Sequence, residues 1–165
     1  LNYMWRYASE RNAVEQFSKL ALCSPLVLPR GWRGVHMGRY VYAVLRHVVR
    51  RIGRSFGKSS HDPVFNEFLR YQDPLQAKYF SLRWIGAMKQ WHEMTLHFAP
   101  LQKTALIVQG TGDMTVDWKY NLPLLEQKLP NAKIVFVADA GHQLVNESDV
   151  YRKQVFAAIK NYFFN

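Results

Sequence analysis

Residues 103–118 read KTALIVQGTGDMTVDW, and residues 133–147 read KIVFVADAGHQLVNE. Each stretch opens on a short, uninterrupted apolar run and closes on a turn of glycine and polar residues. Runs of this length between such turns predict strands over 103–109 and 133–138, buried on both faces as in a parallel sheet. Residues 118–129 carry a helical pattern that stops before Pro130 and Asn131. Asn146, with Asp149 three residues later, resembles a capping box opening a helix to Phe163. Strand, helix, strand, helix with short connections predicts an α/β fold with a parallel sheet.

In such sheets the loops at the carboxyl ends of the strands present side chains to one crevice. Asp113 falls just past the first strand and His142 just past the second. A carboxylate that orients an imidazole, and the imidazole that moves a proton, are two members of a nucleophilic triad. Each also has a plainer reading. Asp113 could close a turn beside Gly112 or cap the next helix, and His142 could be an ordinary half-buried histidine. Asp117 is a competing acid four residues on, with helix capping as its plainer role.

Outward from these strands, residues 1–11 place Leu1, Met4, Trp5 and Ala8 on one helical face. Residues 17–24 (FSKLALCS) predict a third strand that ends at Pro25. Residues 36–52 predict a helix, with Met37, Val41, Val44, Leu45, Val48 and Ile52 on its apolar side. Arg39, Arg46, Arg50 and Arg54 recur on the other side. Asp62 followed by Pro63 predicts a helix start, carrying Phe65, Phe68 and Leu69 as far as Asp73-Pro74. A further helix over 80–97 carries Trp84, Ile85, Met88 and Trp91. Three regions follow: helix and strand of a core over 1–27, an all-helical cap over 28–98, and the remaining core over 99–165.

The chain has 165 residues, 48% hydrophobic and 15% aromatic, enough for a buried core and unlike a disordered chain. No apolar run approaches the ~20 residues of a membrane-spanning helix. The single cysteine, Cys23, forms no intrachain disulfide, which favours a reducing, cytoplasmic setting. The net charge of +10 is unevenly spread: residues 29–60 hold eight Arg or Lys and no Asp or Glu. A solvated outer helix face is the plain explanation. Peripheral contact with anionic lipid is the functional one, through Arg39, Arg46, Arg50 and Arg54. The stripe lacks a docking motif for nucleic acid, so none is expected as a partner.

Residues 106–118 (LIVQGTGDMTVDW) are similar to the acid-bearing strand and turn of the lysophospholipase and monoacylglycerol lipase group of α/β-hydrolases, which includes serine aminopeptidase-type enzymes. Residues 140–147 (AGHQLVNE) resemble the group's histidine turn. Residues 24–32 (SPLVLPRGW) and 60–76 (SHDPVFNEFLRYQDPLQ) resemble its exit from a core strand and its helical cap. Acid before histidine is also the chain order of α/β-hydrolases. The resemblance implies the C-terminal part of such a sheet, about three parallel strands with flanking helices, plus an inserted helical cap.

The resemblance further implies a serine ester hydrolase of lysophospholipid, monoacylglycerol or related carboxylic esters, needing no cofactor. Asp113 would be its acid and His142 its base. The Gly-x-Ser-x-Gly nucleophile turn is absent from these residues, so the serine is expected upstream of Leu1, and this chain alone is expected to be inactive. The rival reading is a truncated, non-catalytic module that works by self-association or partner contact, as an exposed strand edge would favour.

Other patterns fail on geometry. The side chains of Ser60, His61 and Asp62 are consecutive and cannot converge as a triad, whereas capping explains them. His92 and His97 stand five residues apart, about 140° around a helix, where a zinc pair uses a four-residue step. Gly110-Thr111-Gly112 lacks the lysine of a phosphate loop. No metal site is expected.

Overall fold

The chain is described from a computed structural model covering residues 18–32, 42, 44, 45, 48–54 and 57–165. Its organising element is β4 (Ala105–Gly110), in which every residue is buried. β1 (Leu20–Cys23) pairs with it in parallel on one side and β5 (Ala132–Val137) on the other, giving the order β1-β4-β5. Alternate residues of a strand point to opposite faces. Ala105 and Ile107 accordingly pack with Trp91, Leu122 and Leu125, while Leu106 and Val108 pack with Val137, Leu144 and Val155.

Helices therefore cover both faces. α2 (Leu82–His97) and α3 (Trp118–Lys128) supply the first set of partners, and α4 (Asp149–Phe164) covers the second face through Val155. Lys19, just before β1, donates to the Tyr162 and Phe163 carbonyls near the end of α4, where free carbonyls favour a cation.

β1 and β4 are neighbours although residues 24–104 lie between them in sequence. The exit from β1 is fixed first. Ser24 takes a left-handed backbone (φ 44) while its N–H still donates to the Val108 carbonyl at 2.9 Å. The buried Asn121 of α3 then mimics a strand partner for Leu28, accepting from its N–H at 2.9 Å and donating to its carbonyl at 3.1 Å. Pro29 bridges to Val116, and the Arg30 N–H donates to the Thr115 carbonyl at 3.0 Å. Asp62 caps α1 (Pro63–Glu67), accepting from Phe65 N–H, and a π turn over Phe68–Gln72 carries the chain to Asp73.

Several expectations need correction. The helix over 1–11 and most of the first part of that over 36–52, including Arg39 and Arg46, lie outside the described residues. Tyr42, Val44, Leu45 and Val48 are helical, but Val44 and Val48 stand 67% and 80% exposed and do not form a buried stripe. Ile52 is not helical: β2 (Arg51–Gly53) pairs antiparallel with β3 (Tyr79–Ser81), so the expected all-helical block contains a small antiparallel ribbon. The guanidinium of Arg51 lies over the Tyr79 ring and that of Arg54 over the Phe80 ring, which adds side-chain contact to a short ladder. The final helix starts at Asp149 behind Ser148, because residues 144–146 form a 3-10 turn instead of a capping box. β5 is a half-covered strand, with Phe136 exposed, and among the described strands only β4 is fully buried on both faces.

Ile107 and Leu125 are both completely buried where β4 meets α3. Leu125→Ala is expected to lower unfolding free energy by about 2–5 kcal/mol, read as the shift of a urea denaturation curve of the complete protein. A loss below about 1 kcal/mol would place this contact outside the core.

Candidate active site

The two strand-end turns lie back to back. Beyond β4 and β5 the pairing continues, as Thr111 N–H donates to the Val137 carbonyl at 3.1 Å and Gly112 N–H to the Ala140 carbonyl at 3.0 Å. This closeness requires a glycine at position 110. A Cβ there would stand 2.3 Å from the Ala140 oxygen and 2.7 Å from the Gly141 oxygen, inside any real contact distance. Asp139 makes the opposing bend at φ 59, with its N–H bonded to the Thr111 hydroxyl at 2.8 Å.

Across these turns His142 Nδ1 donates to Asp113 Oδ2 at 2.9 Å. The Asp113 side chain is fully buried, whereas that of His142 is 23% exposed. The other carboxylate oxygen accepts from Thr115 N–H at 2.8 Å and Val116 N–H at 3.1 Å, and Gln109 donates to Oδ2 at 3.2 Å. Burial by itself would raise the Asp113 pKa. The hydrogen bond and charge of His142, with the two backbone donors, outweigh it and hold the carboxyl below its usual range. An ionised carboxylate only accepts, so the shared proton belongs to Nδ1, and Nε2 is left as the basic nitrogen.

His142 opens onto a cleft of about 900 Å³. Arg54, Lys58 and Arg70 line it, with His61 and Phe80 among the other walls and Glu67 as its single carboxylate among the described residues. Arg54 donates to Gln76 at 3.0 Å and borders the cleft, instead of continuing an outer stripe with Arg50, which is exposed.

Asp117 occupies the N-cap position of α3, where its side chain makes no capping bond. The Ser60-His61-Asp62 side chains do not form a triad: Asp62 caps α1, and Ser60 Oγ donates to the Asn146 carbonyl at 2.8 Å. His61 Nδ1 instead lies 3.0 Å from Glu147 Oε1. Glu147 and His61 escaped sequence reasoning, since nothing local marks a pairing across 86 residues. His92 Nε2 meets the Tyr120 hydroxyl at 2.8 Å, and His97 Nδ1 donates to the Glu93 carbonyl. The two histidines of α2 thus have separate partners.

Similar architecture occurs in solved structures. A soluble variant of monoglyceride lipase from Saccharomyces cerevisiae, in complex with a substrate analogue, aligns with a TM-score of 0.74 and 19% identity, over 96% of this chain and 59% of that one. Monoacylglycerol lipase from Paleococcus ferrophilus aligns with a TM-score of 0.69 and 17% identity, over 96% of this chain and 62% of that one. No family model and no curated protein matches the sequence. The chain thus has a partial α/β-hydrolase fold, spanning about 60% of the length of these two proteins.

The lowered pKa of Asp113 has a thermodynamic consequence. A carboxyl whose folded pKa lies below its unfolded value of about 3.9 stabilises the fold above that pH, and the contribution disappears as pH falls through the folded pKa. Acid unfolding of the complete protein should therefore steepen below about pH 4, and Asp113→Asn should flatten that limb. Parallel acid limbs for both proteins would mean that Asp113 titrates alike in the folded and unfolded states.

Proposed function

We propose that this chain supplies the acid and base of a serine-type carboxylic ester hydrolase whose nucleophile belongs to a part of the protein outside these residues. The observation that carries the reading is the bond from His142 Nδ1 to the buried Asp113 carboxylate at the ends of adjacent parallel strands. Among the described residues no hydroxyl or thiol is hydrogen-bonded to the His142 side chain. His142 Nε2 takes the proton of the attacking hydroxyl as its oxygen adds to the ester carbonyl, then returns that proton to the departing alcohol. Water repeats the sequence on the acyl intermediate. Asp113 stays ionised, holds the imidazole by Nδ1 and stabilises the transient imidazolium.

The substrate class we propose is lysophospholipid ahead of monoacylglycerol. Arg54, Lys58 and Arg70 against Glu67 give the cleft beside His142 an excess of positive charge suited to a phosphate on the alcohol side of the ester. Phe80, Leu69 and Met114 offer apolar wall for an acyl chain. We further propose a cytoplasmic protein that meets anionic membranes peripherally through Arg39, Arg46 and Arg50. Val44 and Val48, exposed among these basic positions, support such a contact. No helix among the described residues is long and apolar enough to cross a membrane. The bonded acid and histidine favour an enzyme over a non-catalytic module.

In the complete protein, His142→Ala and Asp113→Asn should each reduce ester turnover by about four orders of magnitude, whereas Asp117→Asn should leave it within about twofold. Near-normal turnover in His142→Ala removes the assignment. A large loss confined to Asp117→Asn transfers the acid to that residue.

Charge gives a separate expectation. Replacing Arg39, Arg46 and Arg50 by Gln should weaken binding to anionic vesicles about 100-fold at low salt, at roughly 1 kcal/mol for each charge, with little change for zwitterionic vesicles. Equal affinity of both proteins for anionic vesicles would return these residues to a merely solvated face.

A further inference from the structure

A carboxylate removed from water costs several kcal/mol unless donors surround it. Glu147 is fully buried and so surrounded. Its Oε1 accepts from Gly141 N–H at 2.7 Å and faces His61 Nδ1 at 3.0 Å. Its Oε2 accepts from His61 N–H at 2.7 Å and Ser148 N–H at 2.9 Å, and the Ser60 hydroxyl, which donates to the Asn146 carbonyl, stands 3.3 Å away. Burial would raise its pKa, yet the donors of His61, Gly141 and Ser148 hold it below the usual range.

The placement of these bonds matters more than their number. Gly141 immediately precedes His142 and is tied to Glu147, while Gln143 immediately follows and donates from its N–H to the Ser59 carbonyl at 3.0 Å. Ser59, Ser60 and His61 form a strap that Glu147 itself grips. The backbone on both sides of His142 is thus fastened to one short segment. Packing leaves little slack, since a Cβ on Gly141 would stand 2.7 Å from the Ser59 oxygen and 2.9 Å from Glu147 Oε1.

We infer that Glu147 is a positioning residue for His142: its buried carboxylate locks the histidine turn to the strap over 59–61, and so fixes the orientation in which the imidazole meets Asp113. His61 is the second half of this device, a histidine that also borders the cleft and rests against the Tyr151 ring. The inference rests on the reading of His142 as the base. A helix-capping role alone would use only the bond to Ser148. Three of the four donors come from Gly141 and His61 instead.

The test compares Glu147→Gln, His61→Phe and Ser60→Ala with the parent in the complete protein. Steady-state kinetics on a soluble short-chain ester are combined with proton NMR of the His142 Nδ1 hydrogen shared with Asp113. Glu147→Gln should lower kcat about 10- to 100-fold, with KM within about twofold, and should shift or broaden the Nδ1 resonance. His61→Phe and Ser60→Ala should do the same to a smaller extent. An unchanged kcat and an unchanged resonance in Glu147→Gln overturn the inference. If Glu147→Gln does not fold, the two milder variants decide by the same two readings. If the parent hydrolyses no ester, the proposed reaction fails, and the resonance alone still decides whether Glu147 holds His142.

Discussion

The candidate site depends on one backbone contact, the approach of β4 at Gly110 to the Ala140 and Gly141 carbonyls at the end of β5. Parallel pairing brings the two strand ends to the same height, and the missing side chain at 110 lets the turns touch. Asp113 and His142, which lie 29 residues apart, then need only one side-chain hydrogen bond to meet. A methyl group at 110 would have to displace backbone, which a packed sheet cannot yield cheaply. The rest of the site presupposes this closeness: the Thr115 and Val116 donors behind Asp113, and the strap around His142, act on groups already placed.

Two buried carboxylates then share the electrostatic work. Asp113 faces the imidazole with one oxygen and the backbone of its own loop with the other. Glu147 turns no atom toward the His142 ring in any hydrogen bond, and it gathers backbone donors from the distant His61 and from its own turn at Gly141 and Ser148. Both groups are held ionised by donors that outweigh burial. Such a cluster is costly to assemble with any member missing, because the remaining charge would be left without partners in a medium of low polarity. The donors are already in place in the folded chain, which keeps both carboxylates fixed in position.

The core was legible because β4 is buried on both faces, so its apolar run is continuous, and because glycine and polar turns mark where each strand stops. Asp113 and His142 were legible for the same reason, as polar residues directly behind such strands. Asp62-Pro63 reads as a helix start from local chemistry alone, and the structure has that start. Other features depend on partners that lie far away in sequence. Ile52 continues the helical spacing of Val44, Leu45 and Val48, but three residues of backbone pairing with β3 override that pattern. Arg54 shares the spacing of Arg50, yet its bond to Gln76 brings it to the cleft. Glu147 looks like one more surface acid beside Asn146, until Ser60 and His61 close over it from 86 or more residues away.

The first part of the long excursion between β1 and β4 is pinned at two places. Near its start, Leu28 and Arg30 are bonded to Asn121 and Thr115, and farther along Ser59 to His61 are bonded to Gln143 and Glu147. The chain between the pins is a closed loop in the polymer sense, and the entropy of closing a loop grows only with the logarithm of its length. Insertions, deletions or exchanges there would change the part of the cleft wall formed by Arg54, Gly57 and Lys58 at small thermodynamic cost, while the Asp113–His142 pair stays anchored from outside the loop. On the proposed reading, this part of the wall and the acid–histidine pair are thereby mechanically uncoupled, so variation in this segment can retune one without retuning the other.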